Sequence, residues 1–341
     1  MTATEAGVLR VGGEAHVCAI IVARIGDTLL VTPALRALRA AAGRLTVLVH
    51  PQRVDVLRHL DFIDELGTIT KRSAWLRSRF SRGRYDTAFC WGREPALLNY
   101  CLRAAKRSVA FDYPAFVGIH SDALQRVAVP AESSLHAVRE RALLTDAAGI
   151  TTPNERLAYV VTGDEQRSAR EWLAQKLPSG AKPLIGLQLF SFPTKAHRDW
   201  PLERFIELAR LLCQRYPQAH VLVLGDDNAR LRAGPLSAAL PGRVTVAAGS
   251  LSLRQSAALM QQLDVYIGVD TGPTHIAGAL GIPMVALYHP RYPGRNLMPL
   301  GNSRCTVIEA AEGGMGQVTV GQVWQAVRER LDAGAAATGA A

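Results

Sequence analysis

What this sequence leaves out narrows its chemistry before any motif is read. No G-x-G-x-x-G follows its first apolar strand, so a dinucleotide site of the usual kind is not expected. The five cysteines, Cys18, Cys90, Cys101, Cys213 and Cys305, are odd in number, scattered and without a C-x-x-C pair. That excludes a disulfide framework and points to a reduced, cytoplasmic chain. No apolar run approaches the ~20 residues of a membrane span, and no basic stretch leads a long apolar one near the N-terminus. Neither a signal peptide nor a transmembrane helix is predicted, so any membrane contact would be peripheral. No His, Cys, Asp and Glu stand at metal-ligand spacing, and neither a metal nor another cofactor is expected. Aromatic residues make up only 6%, which argues against a protein that stacks single-stranded bases.

What is present in excess is positive charge. The formal net charge of +10 over 341 residues implies an acidic partner: nucleic acid, an anionic membrane or a phosphorylated substrate. The scarcity of aromatics disfavours the first. Much of the excess comes from residues 71–84, where Lys71, Arg72, Arg77, Arg79, Arg82 and Arg84 stand with no acidic residue. Trp75 and Phe80 interleave with them. Such a run reads either as a solvated face or as a surface for anionic lipid.

The chain is too long for one ordinary core. Short apolar runs alternate with helical periods throughout. In the first half, strands are predicted at Val17–Ala23, Leu45–Val49, Tyr85–Cys90 and Ser108–Phe111, with helices at Leu29–Ala41, Arg53–Leu60, Pro95–Ala105 and His136–Ala148. The second half repeats the alternation, with strands starting at Leu184, His220, Val244, Val265, Ile282 and Cys305 and a last helix over Val320–Leu331. The pattern predicts two doubly wound, Rossmann-like α/β domains facing a cleft. Residues 1–15 are expected to be loose, 16–155 and 156–332 to form the domains, and the Ala/Gly tail 333–341 to be disordered.

Candidate site residues fall at predicted strand ends. Asp27 follows the first strand and reads either as a helix cap or as a positioned general base. Asp270, Thr271, Gly272 and His275 follow the strand Val265–Val269 and start a helix, whose free N–H groups suit an anion such as phosphate. Asp270 cannot sit beside a phosphate cheaply, so sugar hydroxyls are its expected partners. Lys195 or Arg198, in the loop from Ser191 to Pro201, could neutralise a pyrophosphate. Asp226 and Asp227 stand where carboxylates often grip ribose hydroxyls, or where they simply cap a turn.

Taken in order, Arg24–Ile25–Gly26–Asp27 with Thr32–Pro33, then Asp199–Trp200–Pro201–Leu202–Glu203–Arg204–Phe205, then Asp270–Thr271–Gly272–Pro273–Thr274–His275 with Leu280–Gly281–Ile282–Pro283, resemble a known family. It is the heptosyltransferases of bacterial lipopolysaccharide core synthesis, inverting glycosyltransferases of family nine with the GT-B fold. The resemblance implies metal-independent transfer of a heptose from ADP-heptose to an anionic, lipid-linked core acceptor at the inner face of the inner membrane. It makes Asp27 the catalytic base and Asp270, Thr271, Gly272 and His275 the donor-binding block. Leu251 falls beside the adenine, and Gly26, Thr28 and Ser191 join the donor set. The basic run 71–84 becomes an acceptor and membrane patch. One departure stands out. The family usually has Lys-Arg-Trp-Pro, and this chain has Arg198–Asp199–Trp200–Pro201, so either Arg198 replaces the phosphate-binding lysine or Lys195 reaches in. The family's acidic ribose position falls on Asn228 or Ala229, with Asp226 and Asp227 the nearest carboxylates.

Overall fold

The computed structural model describes residues 11–132 and 134–339. The first ten residues of the loose segment expected over 1–15, and the last two residues of the expected tail, lie outside them. The chain divides into two compact units, Met1–Ala158 and Tyr159–Ala341.

The first unit holds six strands: β1 (His16–Ile21), β2 (Arg44–Val49), β3 (Glu65–Thr68), β4 (Tyr85–Cys90), β5 (Ala105–Phe111) and β6 (Leu124–Val127). They form one parallel sheet in the order β3-β2-β1-β4-β5-β6. Ala19 sits at the centre, opposite Val47 on one side and Phe89 on the other. Every residue from Val17 to Ile21 is buried, which requires cover on both faces of the sheet. A strand buried on both faces cannot alternate polar and apolar residues, and β1 reads as one apolar run for that reason.

The second unit repeats the plan with β7 (Leu184–Gln188), β8 (His220–Leu224), β9 (Val244–Val246), β10 (Val265–Val269), β11 (Met284–Tyr288) and β12 (Cys305–Glu309). The order is β12-β11-β10-β7-β8-β9, again parallel. Its core joins Phe205, Leu208 and Leu212 of the helix Leu202–Arg215 to Val221, Val265, Ile267 and Leu287 of the sheet. Trp200 is fully buried in this cluster and its Nε1 donates to the Val318 carbonyl at 2.9 Å, so the indole polar atom is satisfied where it enters the core. In each sheet the first and fourth strands lie side by side, and the chain winds outward from them in opposite directions. The switch points therefore lie beyond β1 and β4 in one unit and beyond β7 and β10 in the other, where open parallel sheets bind ligands.

Several elements depart from the sequence reading. The helix expected at Leu29–Ala41 begins earlier and is split into Ile25–Leu30 and Thr32–Ala41. Pro33 has no N–H for the Leu29 carbonyl, and the Thr32 hydroxyl donates to it instead at 2.6 Å. Pro235 likewise splits the stretch expected as Asn228–Leu240 into Asp227–Arg232 and Gly234–Ala239. The helix Arg53–Leu60 shrinks to Val54–Leu57, ended by His59 at φ 69°. The strands β3 and β6 were not expected. Both are short, lie at sheet edges and are only half-buried, so neither carries a continuous apolar run. The basic stretch forms a helix, Lys71–Arg77, closed by a Thr70–Ser73 capping box. The last helix continues past Asp332 to Gly339. It thus enters the stretch expected as a disordered tail, whose Ala-rich run has high helix propensity and can prolong a helix already formed.

Candidate functional site

In the first unit, Asp27 sits three residues past β1's turn, in the first turn of the helix Ile25–Leu30. The cap reading is corrected. The N-cap is Arg24, no side chain caps this helix, and Asp27 lies one turn in. Its side chain is 43% exposed, and Arg141 Nη2 stands 3.4 Å from Oδ1. Arg141 is buried and also pairs with Glu140. Burial opposes its charge, but the carboxylates of Glu140 and Asp27 outweigh burial and raise its pKa. The Arg141 carbonyl in turn accepts from Trp91 Nε1 at 2.9 Å, and Trp91 follows β4 directly. Residues after β1, after β4 and on the helix Ala137–Asp146 thus converge on one carboxylate at the switch point. Gly26 is half-buried beside Asp27. Thr28, expected in the donor set, is fully buried, and its hydroxyl donates to the Arg24 carbonyl at 2.8 Å and so helps to hold the turn.

In the second unit, Asp270 follows β10 and Thr271 is the N-cap of the helix Gly272–Ala279. No side chain caps this end. The Thr274 hydroxyl, which could have done so, donates to the Val269 carbonyl at 2.6 Å and meets Tyr266 OH at 3.0 Å. The first N–H groups of the helix are left to whatever lies beyond the strand ends. His275 is 4% exposed, with Nε2 3.7 Å from Asp270 Oδ1. Its Nδ1 is buried without a hydrogen-bond partner among the described residues.

The loop after β7 resolves the departure in the tryptophan motif geometrically. Asp199 clamps the loop: its Oδ1 accepts from the Ser191 backbone N–H at 2.7 Å and from the Ser191 hydroxyl at 2.6 Å. The hydroxyl expected to contact donor is therefore engaged within the loop. Arg198 turns inward and its Nη1 meets Asp270 Oδ2 at 2.5 Å, with side chains 18% and 4% exposed. Asp270 was expected to accept from sugar hydroxyls, and its Oδ2 is engaged by this guanidinium. The Arg198 guanidinium also lies 4.2 Å from the centre of the Tyr292 ring. Lys195 keeps its ammonium 5.8 Å from the same ring, and its carbonyl accepts from Ser191 Oγ at 2.7 Å. The register position thus holds an ion pair to a buried carboxylate, and the upstream lysine is half-buried near the Tyr292 ring.

Asp226 caps the helix Asp227–Arg232 by accepting from the Ala229 N–H at 3.1 Å. Asp227 is 73% exposed and pairs with Arg230. Gly249, at φ 70°, donates to the Gly225 carbonyl at 3.0 Å, and a Cβ there would meet Asp227 Oδ1 at 2.6 Å. This close approach, which only glycine permits, joins the loops after β8 and β9 and puts Leu251, half-buried, on the same rim. Sequence reasoning missed Arg141, Asp199, His289 and Tyr292. The last two follow β11 immediately, so the strand-end rule that found Asp270 could have found them.

In the basic stretch, Lys71 pairs with Glu94 at 2.9 Å and Arg84 with Glu65 at 3.3 Å. Arg77 donates to the Thr68 carbonyl and Arg79 stacks 3.9 Å over Trp75. Arg72 and Arg82 are exposed, as are Trp75, Leu76 and Phe80. Among the described residues no helix is long and apolar enough to cross a membrane. No three of His, Cys, Asp and Glu among them gather to hold a metal ion.

Comparison with known proteins follows the same lines. Residues 94–320 match the model of Glycosyltransferase family 9 (heptosyltransferase). Lipopolysaccharide heptosyltransferase 1 of Pseudomonas aeruginosa is 35% identical over 125 residues, 37% of this chain and 33% of that one. The match thus spans about a third of the curated relative. Among solved structures, a glycosyl transferase family 9 protein from Veillonella parvula superposes with a TM-score of 0.80 at 21% identity, over 93% of this chain and 97% of that one. Heptosyltransferase WaaC of E. coli with ADP gives 0.69 at 19% identity, over 92% and 99%. At such identities the likeness speaks to the fold: two doubly wound α/β domains of the GT-B class.

Proposed function

This chain belongs to glycosyltransferase family 9 (heptosyltransferase), and on that premise we propose that it moves a heptose from ADP-heptose to an anionic, lipid-linked lipopolysaccharide core acceptor, with inversion and without a metal ion. The donor assignment is supported by the E. coli enzyme WaaC, solved with ADP and with ADP-2-deoxy-2-fluoro heptose. The single observation that carries the reading is the uncapped start of the helix Gly272–Ala279, with His275 Nδ1 buried and unpartnered behind it. An unoccupied polar atom under free N–H groups is a seat for an anion.

Acceptor activation belongs to the first unit. Asp27 takes the proton of the acceptor hydroxyl as that oxygen attacks the anomeric carbon from the face opposite the diphosphate. Arg141 holds the carboxylate in place from behind. Leaving-group stabilisation belongs to the second unit. As the glycosidic C–O bond breaks, its electron pair stays on the phosphate oxygen, and charge grows where the Thr271 and Gly272 N–H groups, His275 and Lys195 stand. Such preorganised donors act most strongly when fixed before reaction. Arg198 orients this set through Asp270, and Leu251, Asp226 and Asp227 border the nucleoside. The exposed face of Arg72, Arg79, Arg82, Trp75 and Phe80 suits the acceptor's phosphates and the anionic leaflet that carries it, which would make the protein a peripheral one on the cytoplasmic side.

The test is to incubate purified protein with ADP-heptose, with and without core acceptor. ADP release that depends on acceptor is the expected result. Conversion of the donor without acceptor would mean an epimerase, and no turnover in either case would mean a binding protein; both outcomes refute the proposal.

A further inference from the structure

The loops after β7 and β11 flank the Asp270 turn on both sides, because β10 lies between those strands. They bring together groups that the donor reading leaves unused. His197 and His289 meet edge to face, with ring centres 5.2 Å apart. Tyr292 lies 5.9 Å from His197 and 6.5 Å from His289. The guanidinium of Arg291 stands 5.7 Å from the centre of the same ring, which Lys195 and Arg198 also approach. His289 Nδ1 accepts from the Arg291 backbone N–H at 3.2 Å. That bond fixes the neutral tautomer with its proton on Nε2, so the ring offers a donor. The turn at Gly314 lies against Nε2 and presents a glycine there.

We propose that His197, His289 and Arg291, ranged round Tyr292, form a phosphate subsite beside the Asp270 turn, which captures the terminal phosphate of a nucleoside diphosphate by taking up a proton. The inference rests on the reading of the second unit as the donor-binding one. Bond cleavage leaves one further negative charge on the diphosphate, which the sugar ester did not carry. The compensating proton comes from solvent and settles on an imidazole. The histidines are suited to this. Burial first, then Arg198, Lys195 and Arg291, hold His197 below the ordinary imidazole value of 6.5, with Asp199 opposing. Burial first, then His197, Arg198 and Arg291, do the same for His289. Both are neutral beside the sugar ester at neutral pH, and a phosphate dianion beside the pair favours the protonated form. The site therefore binds the product's extra charge more strongly than the substrate, which aids the step that creates that charge.

The experiment titrates ADP, and separately AMP, into the full chain between about pH 8 and pH 6.5. Isothermal calorimetry in two buffers of unlike ionisation enthalpy counts the protons. One proton taken up tightens binding by at most about tenfold per pH unit. Wild-type protein should take up protons with ADP and bind it roughly three- to tenfold more tightly at the lower pH. His197→Asn with His289→Asn should abolish most of that uptake and flatten the pH dependence, while AMP affinity stays as in wild type and shows the fold intact. Single His197→Asn, at an exposed position, should lose part of the effect. Equal ADP affinity and equal proton uptake in wild type and double variant would overturn the inference while the donor reading stands. Failure of wild-type protein to bind ADP at all would remove the donor reading and this inference together.

Discussion

Substituting Arg198 with alanine should damage the fold more than the chemistry, and substituting Lys195 should do the reverse. Arg198 faces a carboxylate that is 4% exposed, with 2.5 Å between Nη1 and Asp270 Oδ2. Removing one partner of a buried pair strands the other charge, at about 3–5 kcal/mol. The lost stacking on Tyr292, at 4.2 Å, adds about 0.5–1 kcal/mol. For a unit of this size each kcal/mol moves the melting temperature by about 2–4 °C. Arg198→Ala should thus lower the transition of the second unit by roughly 7–24 °C. In an Asp270→Asn background the same change should lose well under half of that, since no charge is left stranded. Lys195→Ala should leave the melting curve within a degree or two and reduce kcat by ~10²-fold or more, on the scale of a lost oxyanion donor. Calorimetric scans of wild type and the four variants, with steady-state assays at saturating donor, decide the matter. A wild-type melting curve for Arg198→Ala, combined with lost turnover, would refute the reasoning and return the phosphate to Arg198.

Three further outcomes are expected. Asp27→Asn should keep ADP affinity and lower turnover by ~10²–10⁴-fold; full turnover at saturating substrate would remove Asp27 from the chemistry. Glu165 accepts from Arg254 at 2.5 and 2.6 Å, and those bonds, against burial, hold its carboxyl down to about 2, from an ordinary 4.5. A depressed carboxyl stabilises the fold above its ordinary value, so this contribution should be complete above about pH 4.5 and fade as pH falls toward 2. Urea midpoints for wild type and Glu165→Gln should converge over that window, and parallel pH curves would contradict it. Reversing Arg72, Arg79 and Arg82 to Glu should weaken binding to anionic vesicles by ~1 kcal/mol per residue and flatten its salt dependence. Sedimentation with vesicles measures this, and unchanged partitioning counts against the membrane patch.

The central strands were legible because a strand buried on both faces must be almost wholly apolar, as β10 and β11 are, with β1 after His16 and β7 up to Gln188. The edge strands β3 and β6 were not, because half-buried four-residue segments containing Gly67 or Arg126 carry no such run. Helix limits failed at Pro33 and Pro235 in the same way. A proline in the first turn of a helix is compatible with helix on both sides of it, and the break shows only when the hydrogen bonds are traced.

The candidate site divides along the same line between local and distant information. Asp27 and the Asp270–His275 turn are readable because a strand end, a turn and a helix start lie within a few residues of each other. What the carboxylates do cannot be read in this way. Asp27 became distinguishable from a cap only through the helix start at Arg24 and through Arg141, 114 positions away. Asp270, expected as a sugar ligand, also has its Oδ2 engaged by Arg198, 72 positions before it. Sequence spacing treats Lys195 and Arg198 as equivalent cations on one loop. The fold separates them, because Asp199 fastens the loop through Ser191 and turns one cation toward a buried carboxylate. An arginine at that position suits the task, since its fixed fork can hold a carboxylate while its plane stacks on a ring. On the proposed reading a lysine three residues upstream is the charge that meets the departing phosphate, and the motif's departure from its family pattern divides one residue's work between two, with Asp199 holding the loop that sets them apart.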